Sequence, residues 1–194
     1  MSDLAADIEA HLRHSAEIKT RTATACRDAA VAAAETIARS LSSGGKVMFC
    51  GNGGSAGDSQ HIAAEFVATL DHRRPRQGLA ALALTTDTSF ITAYSNDFGY
   101  EGIFSRQVET LGKSGDVLIG LSTSGNSANV VKAIVAAKQL GITTVAMTGA
   151  GGGKMADLAD ILVAVPADQT PLIQECHIAL GHAITAAVEK LLGH

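Results

Sequence analysis

Twice in this chain a short, wholly apolar run leads into a loop of glycines and hydroxyl residues, and that loop opens a stretch with helical periodicity. The first loop is Gly51-Asn52-Gly53-Gly54-Ser55-Ala56 and the second is Ser122-Thr123-Ser124-Gly125-Asn126-Ser127. Strands that are apolar at every position are typical of parallel sheets buried on both faces. Because parallel strands require crossover connections, usually helices, this repeat restricts the chain to an α/β fold.

The alternation continues from residue 46 to the end of the chain. Strands are predicted at 46–50, 80–84, 116–121, 142–147 and 161–165, and helices at about 55–70, 88–94, 101–111, 127–139, 153–158 and 171–191. The pattern predicts a three-layer sandwich with a central parallel five-stranded sheet and right-handed crossovers. The charged stretch 71–78 is interpreted as a surface loop. At 194 residues the chain is expected to form one domain, residues 1–194.

The first part of the chain, about residues 4–42, is predicted to be a helical arm outside the α/β core of about 46–194. It is rich in alanine, and Leu4, Ile8 and Leu12 share one face through their spacing. One long helix and two shorter ones both fit, since the threonine-rich stretch 20–24 has weak helix propensity. An arm of this kind can pack on another subunit, so we expect a homo-oligomer.

Composition excludes several classes of protein. The net charge of −4 provides no basic field for nucleic acid or an anionic membrane. Cys26, Cys50 and Cys176 form no CxxC pair, which argues against a disulfide framework or a thiolate zinc site and predicts buried or inert thiols. The first residues lack signal-peptide features, and no apolar run approaches the ~20 residues of a membrane span. We therefore expect a cytoplasmic protein.

The two loops indicate a phosphorylated ligand. A strand that feeds a Gly/Ser loop at a helix start presents free N–H groups and hydroxyls to an anion. Four hydroxyl residues in the second loop suit a phosphate ester. The first loop also fits the dinucleotide pattern G-x-G-x-x-A. That pattern requires an acidic residue about twenty positions later, at the end of the second strand, but the second predicted strand here ends well past that position. No Gly-Lys-Ser/Thr follows, so it is not a Walker loop.

Candidate chemical groups lie on two predicted helices. His61 and Glu65 are one turn apart after the first loop, and Gln174 and His182 are about 80° apart on the last helix. Taken alone, His61 and Glu65 are better explained as a surface pair on an amphipathic helix, and Gln174 and His182 as an interior glutamine and a hydrogen-bonded core histidine. Together they could bind zinc, although glutamine is an unusual ligand and no H-E-x-x-H motif is present. A Glu and a His beside a phosphate cradle also suit proton transfer in an aldose–ketose isomerisation.

The motifs, in their order, resemble those of the phosphoheptose isomerases, and residues 47–165 resemble a sugar isomerase (SIS) domain of flavodoxin-like type. The matching segments are 50–56, 60–65, 93–100, 104–107, 115–120, 122–127 and 173–177, together with His182. Some family members carry arginine where Thr69 stands here, which removes one expected polar substrate contact unless Arg73 or Arg74 replaces it. Asn96, Asp97 and Asp168, taken alone, suit turns as well as ligand contacts.

The resemblance implies conversion of sedoheptulose 7-phosphate to D-glycero-D-manno-heptose 7-phosphate through an enediol, an early step in bacterial heptose supply for lipopolysaccharide or related glycans. It implies Glu65 as the base, His182 as the acid, and a homotetramer with sites at subunit interfaces. It implies phosphate contacts from Ser122, Thr123, Ser124 and Ser127, and sugar contacts from Asn52, Gly53, Gly54, Ser55, Glu65, Asn96, Asp97 and Gln174. One zinc ion per subunit would be held by His61, Glu65, Gln174 and His182.

Two alternatives remain open from the sequence. One is a non-catalytic SIS protein, such as the relative that binds the bacterial replication initiator and lacks the acid/base pair. The other is an isomerase of a different sugar phosphate, such as an amino sugar. Retention of Glu65 and His182 argues against the first alternative, and the Gln/His pair on the last helix favours a heptose over the second.

Overall fold

A computed structural model describes residues 3–194, in which strands and helices alternate in the predicted order. The strands are β1 Val47–Gly51, β2 Ala81–Ala83, β3 Val117–Leu121, β4 Thr143–Thr148 and β5 Ile161–Ala164. The helices are α1 Leu4–Ala25, α2 Arg27–Ser42, α3 Gly54–Val67, α4 Thr88–Phe98, α5 Ile103–Leu111, α6 Ala128–Gln139, α7 Gly153–Ala156 and α8 Thr170–Leu191, with a 3₁₀ turn at Tyr100–Gly102. Met1 and Ser2, part of the segment without signal-peptide features, lie outside the described residues.

The strands form one five-stranded parallel sheet in the order β2-β1-β3-β4-β5. Successive residues of β1 face opposite layers because side chains alternate along a strand. Val47 and Phe49 pack with the helices α1, α2, α3 and α8, while Met48 and Cys50 pack with α5, α6 and α7. The sheet is therefore covered on both faces, which confirms the predicted three-layer α/β fold and explains why β1, β2, β3 and β5 consist of apolar residues and glycine.

The N-terminal arm consists of two helices rather than one. Cys26 ends α1 and begins α2, and its N–H group still donates to Thr22 O at 2.9 Å, so the break is slight. Only the second half of α1 reaches the core, through Ser15, Ile18 and Thr22. The apolar stripe at its start is exposed, with Leu4, Ile8 and Leu12 at 71%, 64% and 62% of full accessibility.

Two helix ends differ from the prediction, each for a local reason. Helix α3 stops at Val67 because the Arg76 guanidinium donates to the carbonyls of Glu65 and Phe66, satisfying groups that a longer helix would use. Helix α4 runs on to Phe98 and ends where Gly99 adopts a φ of 91°. The stretch 71–78 is mostly exposed, as predicted, but the side chain of Arg76 is only 3% exposed and pairs with Glu189.

The three cysteines are buried and unpaired, as expected of structural thiols. Burial raises the pKa of the Cys50 thiol to about 12, which keeps it protonated and unreactive at neutral pH. Among residues 3–194, no helix combines the length and the apolar composition needed to cross a membrane.

Candidate active site

The two glycine and hydroxyl loops lie side by side at the carboxyl edge of the sheet. Strands β1 and β3 are neighbours in parallel register, so Gly51 at the end of β1 lies opposite Leu121 at the end of β3. The strand order reverses between them, with β2 beyond β1 and β4 beyond β3. A crevice at such a switch point is where open α/β sheets bind their ligands, and both loops line it.

The second loop brings its hydroxyl groups together at the start of α6. Ser122 Oγ lies 2.9 Å from Ser127 Oγ and 3.5 Å from Ser124 Oγ. Ser127 precedes the helix without capping it through its side chain. Val130 N donates to Asn129 Oδ1 at 3.0 Å, so the N–H groups of Ala128 and Asn129 are the ones left available to a ligand. Hydroxyls and N–H donors therefore converge on one spot, an arrangement that suits a phosphate.

A glycine-rich turn supports this loop from behind. Gly125 adopts a φ of 65°, and a Cβ atom there would lie 2.0 Å from Gly152 O, so only glycine fits. The Asn126 side chain spans the contact, donating to Ser124 O at 2.8 Å and accepting from Lys154 N at 3.0 Å. The turn 149–153 after β4 thus fixes the shape of the second loop.

The first loop contacts the last helix. A Cβ atom on Gly54 would lie 2.7 Å from Gln174 Oε1, so the glutamine amide rests directly on the loop backbone. Gly53 adopts a φ of 56°, which glycine tolerates. Ser55 is buried, and a Cβ atom on Gly51 would lie 2.8 Å from its Cβ, so its side chain sits beneath the loop.

Three of the predicted chemical groups form a compact triangle. His61 Nε2 lies 3.1 Å from Glu65 Oε1 and 3.1 Å from His182 Nε2, and His182 Nε2 lies 3.3 Å from Glu65 Oε1. Helices α3 and α8 pack closely here, since a Cβ atom on Gly181 would lie 2.4 Å from Ile62 Cδ1. The Glu65 side chain is only 16% exposed, and its second oxygen, Oε2, is buried without a hydrogen-bond partner in the described part of the chain.

Asp58 joins this group, although the sequence reasoning missed it. Burial raises the pKa of its carboxyl group, and the nearby His61 and His182 act in the opposite direction. Its Oδ2 atom is buried and has no hydrogen-bond partner within residues 3–194. The signal was available in the sequence, since Asp58 lies three residues before His61 and therefore on the same side of α3.

The remaining predicted residues are not brought into the triangle. Asn96 and Asp97 are exposed in the last turn of α4 and bond to each other at 2.8 Å. Gln174 lies eight residues before His182, which places its backbone about 12 Å away along α8. Asp168 is exposed before α8. Arg73 is held by Asp71 through two bonds of 2.9 Å, which lowers the pKa of Asp71 to about 2 and directs the guanidinium to its own loop.

Comparison with known proteins decides the family. Residues 10–149 match the family model of the SIS domain. A phosphoheptose isomerase of Rhodospirillum rubrum is 54% identical over 167 residues, which are 86% of this chain and 88% of the relative. The chain belongs to the phosphoheptose isomerase family. A second member, from Roseiflexus sp. strain RS-1, is 51% identical over 178 residues, covering 92% of this chain and 89% of that one.

Solved structures of the family share the whole fold. A phosphoheptose isomerase from Neisseria gonorrhoeae has a TM-score of 0.91 at 44% identity, covering 96% of this chain and 99% of that chain. A phosphoheptose isomerase from Francisella tularensis has a TM-score of 0.92 at 35% identity, covering 98% of this chain and 100% of that chain. The N-terminal arm and the α/β core are both included in these matches, so the arm is part of the family fold.

Proposed function

We propose that this family member is an aldose–ketose isomerase that converts D-sedoheptulose 7-phosphate to D-glycero-D-manno-heptose 7-phosphate through an enediol. The observation that carries the proposal is the position of Glu65 and His182, 3.3 Å apart beside the crevice that both loops line. An acid and a base next to a phosphate cradle are what this reaction requires, since it needs no covalent nucleophile. The names of the relatives agree with this assignment.

The proposed chemistry is a proton shuttle. Glu65 removes a proton from C1 of the ketose while His182 gives a proton to the C2 carbonyl oxygen, and the electrons of the C–H bond form the C1–C2 double bond. Returning a proton to C2 and removing one from the C1 hydroxyl yields the aldose. Glu65 Oε2 suits the base because it has no hydrogen-bond partner in the described chain, so its lone pairs are free for a substrate proton.

Substrate contacts are proposed along the crevice. The hydroxyls of Ser122, Ser124 and Ser127, together with Thr123, hold the phosphate at the start of α6. The first loop and Gln174, which already touch each other, hold the sugar near Glu65. Asn96 and Asp97 contribute from the exposed end of α4. In this arrangement Ser55 participates through its backbone, since its side chain lies beneath the loop.

The triangle of His61, Glu65 and His182 also fits zinc. Ligand bonds of about 2.0–2.2 Å at tetrahedral angles place donor atoms roughly 3.3–3.6 Å apart. The observed spacings of 3.1–3.3 Å among two imidazole nitrogens and one carboxylate oxygen are close to this. Gln174 is proposed as the fourth ligand. Zinc bound there would act as a Lewis acid toward substrate oxygen.

We also propose a homotetramer with active sites at subunit interfaces. The exposed stripe of Leu4, Ile8 and Leu12 is an apolar helix face that another subunit can cover. His61 and His182 are 56% and 44% exposed, so the site is open on one side in the single chain. A cytoplasmic location and a role in supplying heptose for lipopolysaccharide or related glycans complete the proposal.

Solvent exchange tests the shuttle directly. In deuterium oxide, the wild-type protein should place deuterium on C1 of sedoheptulose 7-phosphate and on C2 of the aldose product, because the proton held by the Glu65 carboxyl group exchanges with solvent during the enediol lifetime. Mass spectrometry of the recovered sugar should show this label, and the Glu65→Gln variant should show none. Isomerisation without any label from solvent would contradict an exchanging base.

A further inference from the structure

A reciprocal pair of side-chain amides joins the two loops. Asn52 Nδ2 donates to Asn129 Oδ1 at 2.9 Å, and Asn129 Nδ2 donates to Asn52 Oδ1 at 2.8 Å. The Tyr100 hydroxyl donates to the same Asn52 Oδ1 at 2.9 Å. The carbonyl oxygen of Asn52 therefore has both lone pairs occupied, and only one N–H of its amide is left for a substrate.

The three residues belong to three different parts of the site. Asn52 lies in the first loop, Asn129 lies in the first turn of α6 behind the phosphate cradle, and Tyr100 begins the 3₁₀ turn that follows Asn96 and Asp97. Asn129 is only 3% exposed, so its partners are fixed by the cost of leaving a buried amide unsatisfied. The junction connects the phosphate cradle, the first loop and the end of α4.

The end of α4 has few other polar attachments to the rest of the protein. None of the α4 residues is buried, although the helix carries Phe90, Tyr94 and Phe98 in a row. Within the described residues, side chains of the segment 88–102 form hydrogen bonds to other elements at two places only. One is Tyr100 to Asn52, and the other is the exposed pair of Glu101 with Lys132. Surface pairs of that kind contribute little, so Tyr100 is the main polar attachment.

We infer that Tyr100 and Asn129 are positioning residues that act through Asn52. They hold the first loop and the Asn96–Asp97 segment at a fixed spacing from the phosphate cradle, so that the sugar meets all three at once. This inference rests on the proposed function for its kinetic consequences, but the junction itself is a property of the protein without substrate. Loss of the Tyr100 hydroxyl should loosen sugar binding and leave the phosphate cradle intact.

The kinetic test compares the only two tyrosines of the chain. Tyr100→Phe removes one hydrogen bond and should raise KM for sedoheptulose 7-phosphate about three- to tenfold, with kcat within about twofold. Competitive inhibition by inorganic phosphate should not change, because the second loop is untouched. Tyr94→Phe is the matched control, since the Tyr94 hydroxyl has no hydrogen-bond partner among residues 3–194, and it should match the wild type. An unchanged KM in Tyr100→Phe would overturn the inference.

The same substitution in an Asn52→Ala protein separates a positioning role of Tyr100 from direct contact with the sugar. If Tyr100 acts through Asn52, then Tyr100→Phe should have no further effect on KM in an Asn52→Ala protein. An equal rise in KM in both backgrounds would show that Tyr100 touches the sugar itself, which would also overturn the inference.

Hydrogen exchange of the substrate-free protein tests the junction without any assay of activity. Tyr100→Phe should speed amide exchange in residues 52–56 and 96–99, Asn129→Ser should do so more strongly, and Tyr94→Phe should not. If Tyr100→Phe speeds exchange but the wild type does not isomerise the sugar, the junction stands and the proposed function is refuted. Unchanged exchange in Tyr100→Phe would refute the junction whatever the activity of the wild type.

Discussion

Glu65 is the residue whose surroundings most restrict its role. One carboxylate oxygen faces two imidazoles at 3.1 and 3.3 Å, and the other is buried without a partner among the described residues. A buried carboxylate with an unused oxygen is costly for stability unless it has a task. The sequence placed Glu65 one turn after His61, but only the family resemblance implied that His182 of the last helix would act with it.

Substitution of the acid/base pair should separate catalysis from folding. We expect Glu65→Gln and His182→Gln each to lower kcat at least about a hundredfold, because general acid and base groups typically contribute that much or more. Both glutamines preserve size and polarity, so thermal unfolding should change little. His72→Gln, an exposed histidine on the loop 71–78, is the control and should keep full activity. Near-native turnover in either variant would remove that residue from the mechanism.

His177 gives the protein a specific sensitivity to acid. It is fully buried on α8, Nε2 bonds to Thr148 O at 3.1 Å, and Nδ1 has no partner in the described chain. Burial lowers its pKa from 6.5 to about 4. The unfolded chain therefore binds more protons than the folded one between these values, so stability falls as the pH drops from about 6.5 toward 4.

A comparison of unfolding at two pH values measures this effect. The wild type should lose up to about 3 kcal/mol of unfolding free energy from His177 between pH 7 and pH 4. His177→Asn is less stable at pH 7. It should lose less unfolding free energy on acidification, because all its other titratable groups are the same as in the wild type. Urea titrations at both pH values give the difference. Equal losses in the two proteins would show that folding does not lower the pKa of His177.

At the scale of elements, the strands and most helices follow from local pattern alone. Strands β1, β2, β3 and β5 consist of apolar residues and glycine because the sheet is covered on both faces, and this made them recognisable. The ends of α3 and α4 were misplaced, because Arg76 reaches α3 from a separate loop and Asn96–Asp97 continue α4 until Gly99. Contacts made across long stretches of sequence leave no periodic signal.

The second loop should act as a unit in phosphate binding. Ser124→Ala removes an exposed hydroxyl from the cradle and should raise KM for the sugar phosphate about tenfold, since a bond to a charged group is worth roughly 1.5 kcal/mol or more. Inhibition by inorganic phosphate should weaken in parallel. Ser43→Ala, at the exposed end of α2, serves as the matched control. An unchanged KM would place the phosphate elsewhere.

At the scale of the molecule, the fold brings distant segments together where sequence spacing could not. The crevice between β1 and β3 was predictable, since both loops follow strands of a parallel sheet. The pairing of Asn52 with Asn129, seventy-seven residues apart, and the approach of Tyr100 were not predictable, because asparagines near loops are common turn residues. Asp58 differs from these residues, because its place three residues before His61 on α3 could be read from the sequence.

The exposed apolar stripe of α1 should form part of a subunit interface. Ile8→Glu places a charge in the middle of the apolar stripe and should lower the mass measured by light scattering to that of a smaller species, because burying an unpaired carboxylate is costly. Ala10→Glu puts the same charge on the opposite face of α1 and should leave the assembly intact. An unchanged mass in Ile8→Glu would exclude this stripe from the interface.

The most direct test of the account is to incubate the purified protein with sedoheptulose 7-phosphate and follow the sugar by proton NMR. We expect anomeric signals of an aldoheptose phosphate to appear with the wild type, and to be absent with Glu65→Gln. If the folded, oligomeric, zinc-supplied protein produced no such signals, the assignment as a heptose phosphate isomerase would be contradicted.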